Sequence, residues 1–472
     1  MGFAQKQTFE QYKKTKQTEW TKYKSTKQKE YDAYRHKINT DYAAYMANRW
    51  EAYKSFSAIR KPKDQDPPAP VVKKQDEPKG TDEIRYKLVI KLVPYEVPDP
   101  VVPIDVPPTE DKSQFKFMFH GTQCAVHLND ALKYTLSDAS EQAASDMWLH
   151  LSDPVYDGVI ADCLRLRDEL QLADWGYINL LQTLTNSFLG TNTNEAVLMQ
   201  MYILTQSGYS TRIARTNDRF VLLVPFDAAL YDYSYFNIDG KHYYIMDKDD
   251  ESHSYYIFNK AFPEEQVPSL RMTESPKLTY TAAPSRTLSS RRWPSLRASV
   301  AENKNLISFY DEYPLSTSWD YYSAASLSNE TKKSLYPVLR REIAGKSKYD
   351  AANMLINFVQ TAFDYKTDGD QFGYERPLFG DETIYYPYSD CEDRSILYSI
   401  LVRELLDLDV VLLLYPGHLA TAVAFPDNKS YGYHFTYNDK VYTICDPTYI
   451  NADAGDCMPK FRTTSPEVIL VQ

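Results

Sequence analysis

The segments FNIDGKHYYIMDKD (236–249) and FTYNDKVYTICDPT (435–448) align without a gap at an offset of 199 residues. At the same offset, NTNEAVLMQMYILTQSGY (192–209) meets CEDRSILYSILVRELLDL (391–408), each an apolar-periodic helix leading into a pair of strands. Upstream, NLLQTL (179–184) meets NMLINF (353–358) at an offset of 174, so the second stretch carries 25 more residues between Asp364 and Ser389. A duplication of this length implies two related domains in tandem, not a solenoid of short repeats. With 472 residues and 43% hydrophobic content the chain is long enough to bury a core in each.

A second periodicity opens the chain. Aromatic pairs recur every eleven residues: Phe9/Tyr12, Trp20/Tyr23, Tyr31/Tyr34, Tyr42/Tyr45 and Tyr53/Phe56. Eleven residues are close to three helical turns, so the pairs predict one straight stripe along a helix about 80 Å long within a domain of residues 1–60. So long a polar helix needs packing to persist, and self-association or docking on a partner is the expectation for it. Residues 61–114 follow as a Pro- and charge-rich linker. Its one predicted strand, IRYKLVIKLV, lies ahead of a second proline run, VPDPVVPIDVPP. The first copy then covers 115–260, a Ser-, Pro- and Arg-rich connector with short strands covers 261–312, and the second copy covers 313–472.

The charge is uneven. A net −11 overall combines +9 in residues 1–63 with about −20 in the rest, which argues against nucleic acid as a partner. No apolar run reaches the ~20 residues of a membrane span. The opening GFAQK matches what a small-residue cleavage site leaves behind. Export to the periplasm or cell surface is therefore the expectation, with the cytoplasm as the alternative. The five cysteines (Cys124, Cys163, Cys391, Cys445, Cys457) are too scattered for a disulfide framework or a CxxC zinc site. Cys445 and Cys457 are close enough to pair in an oxidising compartment, or else are unrelated thiols.

Cys391 opens a predicted helix whose apolar positions Ile396, Leu397, Ile400, Leu401 and Leu405 mark a buried face. The helix N-terminus favours a thiolate, whereas Asp390, Glu392 and Asp393 oppose one, so the thiolate needs an imidazolium partner. His418 stands at a strand edge after VVLLLYPG, and Asp446 closes the strand KVYTICDPT. Antiparallel neighbours of this kind would set the carboxylate beside one ring nitrogen and leave the other for sulfur. His434, in an alternating strand, is the rival base, and its context favours a packed histidine.

The stretches SDCEDRSILYSILVREL, PGHLATAV and CDPTY resemble the bacterial transglutaminase-like superfamily of cysteine enzymes. That resemblance implies a papain-like α+β fold in both copies, with nucleophile Cys391, general base His418 and orienting acid Asp446. It also implies amide hydrolysis or acyl transfer on a protein or peptide substrate, with no cofactor and no metal. The 25 extra residues resemble the loop ahead of the nucleophile in such enzymes, where Gln371 and Tyr374 are candidate oxyanion donors. In the first copy the offset places Asn192 at the Cys391 position, Arg219 at the His418 position and Asp247 at the Asp446 position. That copy is expected to be a degenerate, noncatalytic domain. The leading expectation for the whole is a cysteine peptidase or acyl transferase acting through a thioester. The alternative is a noncatalytic protein- or glycan-binding scaffold, which the 40 tyrosines would also suit.

Overall fold

The computed structural model describes residues 2–61, 71–77, 79–91, 95–100, 114–248, 254–316 and 318–471. The fold is mixed α+β, with a long N-terminal helix and two curled sheets. Helix α1 (Gly2–Met46) is 45 residues long, or about 68 Å. Only its C-terminal part is covered, where Arg35, Asn39, Tyr42, Ala43 and Met46 are buried. The Tyr42 ring lies 4.7, 5.0 and 5.0 Å from those of Trp148, Phe258 and Phe262. Asn39 exchanges hydrogen bonds with Gln206, and Arg35 ion-pairs with Asp157. Farther out, Phe9, Tyr12, Trp20, Tyr23, Tyr31 and Tyr34 stand in solvent, 39–59% exposed.

The fifth aromatic pair leaves the stripe, so the helix is shorter than its repeat predicts. Asn48 Nδ2 donates to the carbonyls of Ala44 and Tyr45 at the helix end, and the Trp50 indole donates to that of Met46. The chain then turns into strand β1 (Glu51–Lys54). There Tyr53 meets Phe236 edge-on at 6.3 Å, and beyond the strand Phe56 stacks on Tyr235 at 5.4 Å. Rings that a longer helix would leave in water find a sheet edge instead.

Of the linker, 62–70, 78, 94 and 101–113 lie outside the described residues, as do 92–93 of the predicted strand and most of the second proline run. The described part is pinned to the second half of the chain. Lys73 pairs with Asp456 at 2.7 Å, Glu77 accepts from the Tyr449 hydroxyl at 2.6 Å and pairs with Arg462, and β2 (Val89–Ile90) joins the second sheet. Isolated bridges join the same segment to the second half at Val72 with Ile450 and Glu83 with His434.

The first half holds the hairpin β3 (Phe115–Phe119) and β4 (Thr122–Val126), then helices α2 (Glu141–Leu151), α3 (Asp157–Glu169), α4 (Asp174–Leu189) and α5 (Asn194–Gln206). Strands β5 (Arg212–Thr216), β6 (Arg219–Pro225), β7 (Tyr235–Ile238), β8 (Lys241–Ile245) and β9 (Ser254–Phe258) follow. The connector carries β10 (Arg286–Ser289), β11 (Arg297–Val300) and α6 (Lys304–Glu312). The second half begins with α7 (Trp319–Ala324), α8 (Asn329–Ile343) and α9 (Lys348–Ala362). Next come β12 (Asp364–Tyr365), α10 (Asp368–Gln371), α11 (Gly380–Tyr385), β13 (Tyr388–Ser389) and α12 (Cys391–Leu406). It closes with β14 (Val410–Tyr415), β15 (His418–Ala424), β16 (His434–Tyr437), β17 (Lys440–Cys445) and β18 (Glu467–Leu470).

The two six-stranded sheets follow one plan, β1-β9-β5-β6-β8-β7 and β2-β18-β14-β15-β17-β16. Each runs from a strand of the N-terminal segment to the last strand of its half, then the first, second, fourth and third. Strands β6 and β15, β7 and β16, and β8 and β17 each start 199 residues apart. The N-terminal strands differ in direction: β1 is antiparallel to β9, and β2 is parallel to β18. Tyr313 joins the halves, its ring 6.2 Å from Trp175 and 5.1 Å from Phe379. Among the described residues no helix is long and apolar enough to cross a membrane.

A second joint is made of acids. The Thr331 hydroxyl lies 2.7 Å from both Glu302 Oε2 and Asp381 Oδ1, and it has a single proton to donate. One of the two carboxyls therefore keeps its own proton. Burial, then the Asp381 charge, pushes Glu302 from 4.5 up to about 9. Because the folded pKa is raised, this group's contribution is complete below about 4.5 and is lost as pH rises toward about 9. Urea unfolding across that range is expected to show falling stability, and Glu302→Gln, which keeps a neutral partner for Thr331, is expected to flatten the slope.

Candidate active site

Cys391 is the first residue of α12, and it is only 4% exposed. Every residue from Cys391 to Val402 is buried, where the sequence pattern marks a single apolar face. The helix is enclosed because it lies between β14 and β15 on one side and α7, α9 and α11 on the other. Two polar residues within it are tied to neighbouring backbone: the Ser395 hydroxyl donates to the Leu419 carbonyl at 2.9 Å, and Arg394 reaches the carbonyls of Gln360 and Phe363. The Asp393 carboxylate accepts from the N–H groups of Leu378 at 3.0 Å and Asp390 at 3.3 Å, fixing the turn in front of the thiol.

His418 is the first residue of β15 because the two-residue turn Pro416–Gly417 sets it opposite Tyr415. Gly417 supplies the positive φ of 65° that such a turn requires. Strands β15 and β17 pair with Thr421 opposite Cys445, and this register carries Asp446 to the imidazole. His418 Nε2 lies 2.9 Å from Asp446 Oδ2. The other carboxylate oxygen accepts from the N–H groups of Thr448 at 2.9 Å and Tyr449 at 3.2 Å. Gln360 Nε2 secures the same loop through the carbonyls of Asp446, Tyr449 and Ala452. Phe461 lies flat on the imidazole, 5.0 Å away and 4° from parallel.

With Nε2 committed to Asp446, Nδ1 is left for the Cys391 sulfur, with which the ring interacts. The thiol also lies 3.1 Å from Glu392 Oε2. Burial opposes the imidazolium, but the Asp446 carboxylate, and after it the Cys391 sulfur, raise the His418 pKa from 6.5 to about 10. The ring therefore carries its proton through the neutral range.

The sequence reading passed over a cluster of acids on the other side of the sulfur. Asp368, Asp390 and Glu392 bring carboxylate oxygens within 4.8 Å of one another, all buried, the one group among the described residues with the spacing to hold a metal ion. Glu392 Oε1 has no hydrogen-bond partner. Three hard oxygen donors suit a divalent cation such as Ca²⁺ or Mg²⁺. Without one, protons offset the charge: burial and then Asp390 push Asp368 up to about 11, and burial, Asp390 and Cys391 hold Glu392 well above the usual carboxylate range. Two of the three acids flank Cys391 in sequence, which was the available signal. The third comes from the 25-residue insertion, where nothing local marks it.

The remaining sequence candidates make the following contacts. His434 Nδ1 bonds the Gly432 carbonyl at 2.8 Å, and its backbone pairs with the N-terminal strap at Ile84, as a packed histidine does. Gln371 ends α10, with its N–H on the Thr367 carbonyl at 3.0 Å. The Tyr374 ring lies under Lys61 Nζ at 3.6 Å. Neither interaction involves Cys391. All five cysteines are buried and free, Cys445 and Cys457 included.

In the first half, Arg219 and Asp247 form an ion pair at 2.5 Å, at the strand positions of His418 and Asp446. Asn192 falls in the turn before α5, and the first helical residue is Asn194. The Asn194 side chain bonds the Asp218 carbonyl and the Phe220 N–H, on either side of Arg219. Comparison with protein families, with curated proteins and with solved structures finds no match to this chain.

Proposed function

We propose that this chain is a cysteine-dependent amide hydrolase or acyl transferase, foremost a peptidase, built from two transglutaminase-like halves of which the second is catalytic. The observation that carries this reading is the convergence of three residues from different elements: Cys391 at a helix start, His418 at a strand start, and Asp446 at 2.9 Å from the imidazole. In the proposed cycle the Cys391 thiolate adds to an amide carbonyl, and the C–N bond breaks as the His418 imidazolium protonates the departing amine. Water or a second amine then releases the acyl group from sulfur. A divalent cation held by Asp368, Asp390 and Glu392 would neutralise the charge beside the thiol. Arg219 and Asn194 supply no nucleophile and no base, so the first half is assigned a supporting role.

One observation favours the noncatalytic scaffold as the second reading: Cys391 and His418 are each 4% exposed, so a substrate enters only if the cover moves. The exposed stripe of α1 is assigned to pairing with the same helix of a second copy, since only a partner with the same eleven-residue repeat stays in step along its length. Removal of residues 1–34 is then expected to halve the sedimenting mass, and an unchanged mass sinks that assignment. The test of the main reading is a peptide-library cleavage screen with the protein and its Cys391→Ala variant. Cleavage that vanishes with the sulfur supports it, and cleavage in both or in neither overturns it.

A further inference from the structure

We propose that the Tyr365 hydroxyl is the side-chain oxyanion donor of the Cys391 site, acting together with the Cys391 backbone N–H on the carbonyl oxygen of the substrate. The proposal rests on the catalytic reading above and deepens it.

Tyr365 lies in the insertion that the first half lacks. Strand β12 runs parallel to β13 with Tyr365 opposite Ser389, two residues ahead of Cys391. Arg394 ties the two together: its Nε donates to Ser389 Oγ at 3.0 Å, and its guanidinium lies 5.3 Å from the centre of the Tyr365 ring. The phenol is thus held in place, yet its hydroxyl is buried and has no hydrogen-bond partner among the described residues. Leaving such a donor unpaired is costly, a penalty that calls for an acceptor that arrives later. Burial, and after it the Cys391 sulfur, raises the phenol's pKa, so the hydroxyl keeps its proton. The second donor is already there, because an N–H in the first turn of a helix has no intrahelical acceptor.

When the thiolate adds to a carbonyl carbon, the C–S bond forms and the π pair moves onto oxygen. The Tyr365 O–H and the Cys391 N–H then donate hydrogen bonds to that oxygen and lose no proton. As the carbonyl re-forms, the C–N bond breaks and the leaving amine takes its proton from His418. The phenol's contribution is specific to the tetrahedral stage.

That specificity defines the test. Iodoacetamide alkylates a thiolate by displacement and forms no oxyanion, whereas p-nitrophenyl acetate acylates it through one. Both probes are small and use the same entrance, so access cancels in the comparison. In Tyr365→Phe the p-nitrophenolate burst rate is expected to fall about 100-fold, the effect of losing one oxyanion donor. The iodoacetamide rate at Cys391 and the thermal midpoint are expected to stay at wild-type values. An unchanged burst rate overturns the proposal. So does a parallel fall in both rates, which would make Tyr365 a support for the thiol. If Cys391 in the wild-type protein labels no faster than Cys124 or Cys163, the catalytic reading fails instead, and the two failures are told apart.

Discussion

Replacement of Cys391 by alanine is expected to remove amide turnover to the level of the uncatalysed background, a fall on the order of 10⁴- to 10⁶-fold in kcat. The covalent route depends on a single sulfur, and the chain offers no substitute. Cys445 is fully enclosed, and burial holds its thiol up at about 12. Burial also pushes Cys124 up to about 11. Asn192 and Arg219 stand at the matching offset in the first half and supply neither a nucleophile nor a base. The change removes one sulfur from a small side chain in contact with Leu412, Leu419 and Ile469, so stability is expected to alter little. Steady-state cleavage of the best library peptide measures the first effect and a thermal melt the second. Loss of activity together with loss of the fold would count against a purely chemical role for the sulfur.

The largest expected effect on stability is at Arg394. This side chain is 1% exposed, and it donates to Ser389 Oγ at 3.0 Å and to the carbonyls of Gln360 at 3.3 Å and Phe363 at 3.1 Å. It thereby ties the helix that carries the nucleophile to the end of α9 and to the strand before Cys391. Burial works against its ionised form, which Tyr365, Asp390 and Asp393 favour. Arg394→Ala would leave two buried carbonyls and a hydroxyl without their donors and the acids without their counter-charge. Breaking a buried charge constellation of this kind costs about 3–5 kcal/mol. The midpoint of urea unfolding is expected to fall accordingly. Arg394→Lys is expected to recover only a fraction, since one ammonium cannot span three acceptors set in a plane. Wild-type stability in the alanine variant would show that these contacts carry no net energy.

The chain's own periodicities determined a good deal. The 199-residue self-match marks strands that the structure pairs in one repeated order, because alternation of apolar residues and the turns between them are encoded locally. Cys391, His418 and Asp446 were legible for the same reason: each sits at an element boundary that its neighbours announce, and adjacent antiparallel strands leave little choice of register. Pro416–Gly417 is a case in point, since that turn alone puts His418 at the head of its strand.

What only the tertiary structure decided depends on residues remote in sequence and weak in local signal. The eleven-residue repeat continues to Phe56, but the helix stops at Met46, and Tyr53 and Phe56 lie instead along a sheet edge formed by residues near 235 and 255. The proline-rich linker carries no periodicity, and its pinning to Asp456, Tyr449 and Arg462 depends on partners nearly 400 positions away. Asp368 and Tyr365 read as ordinary loop residues until the insertion folds back and sets them beside Asp390 and Ser389. Local propensity follows from neighbours along the chain, whereas the charge around a thiol and the donors facing it are set by whatever the whole fold brings within a few ångströms.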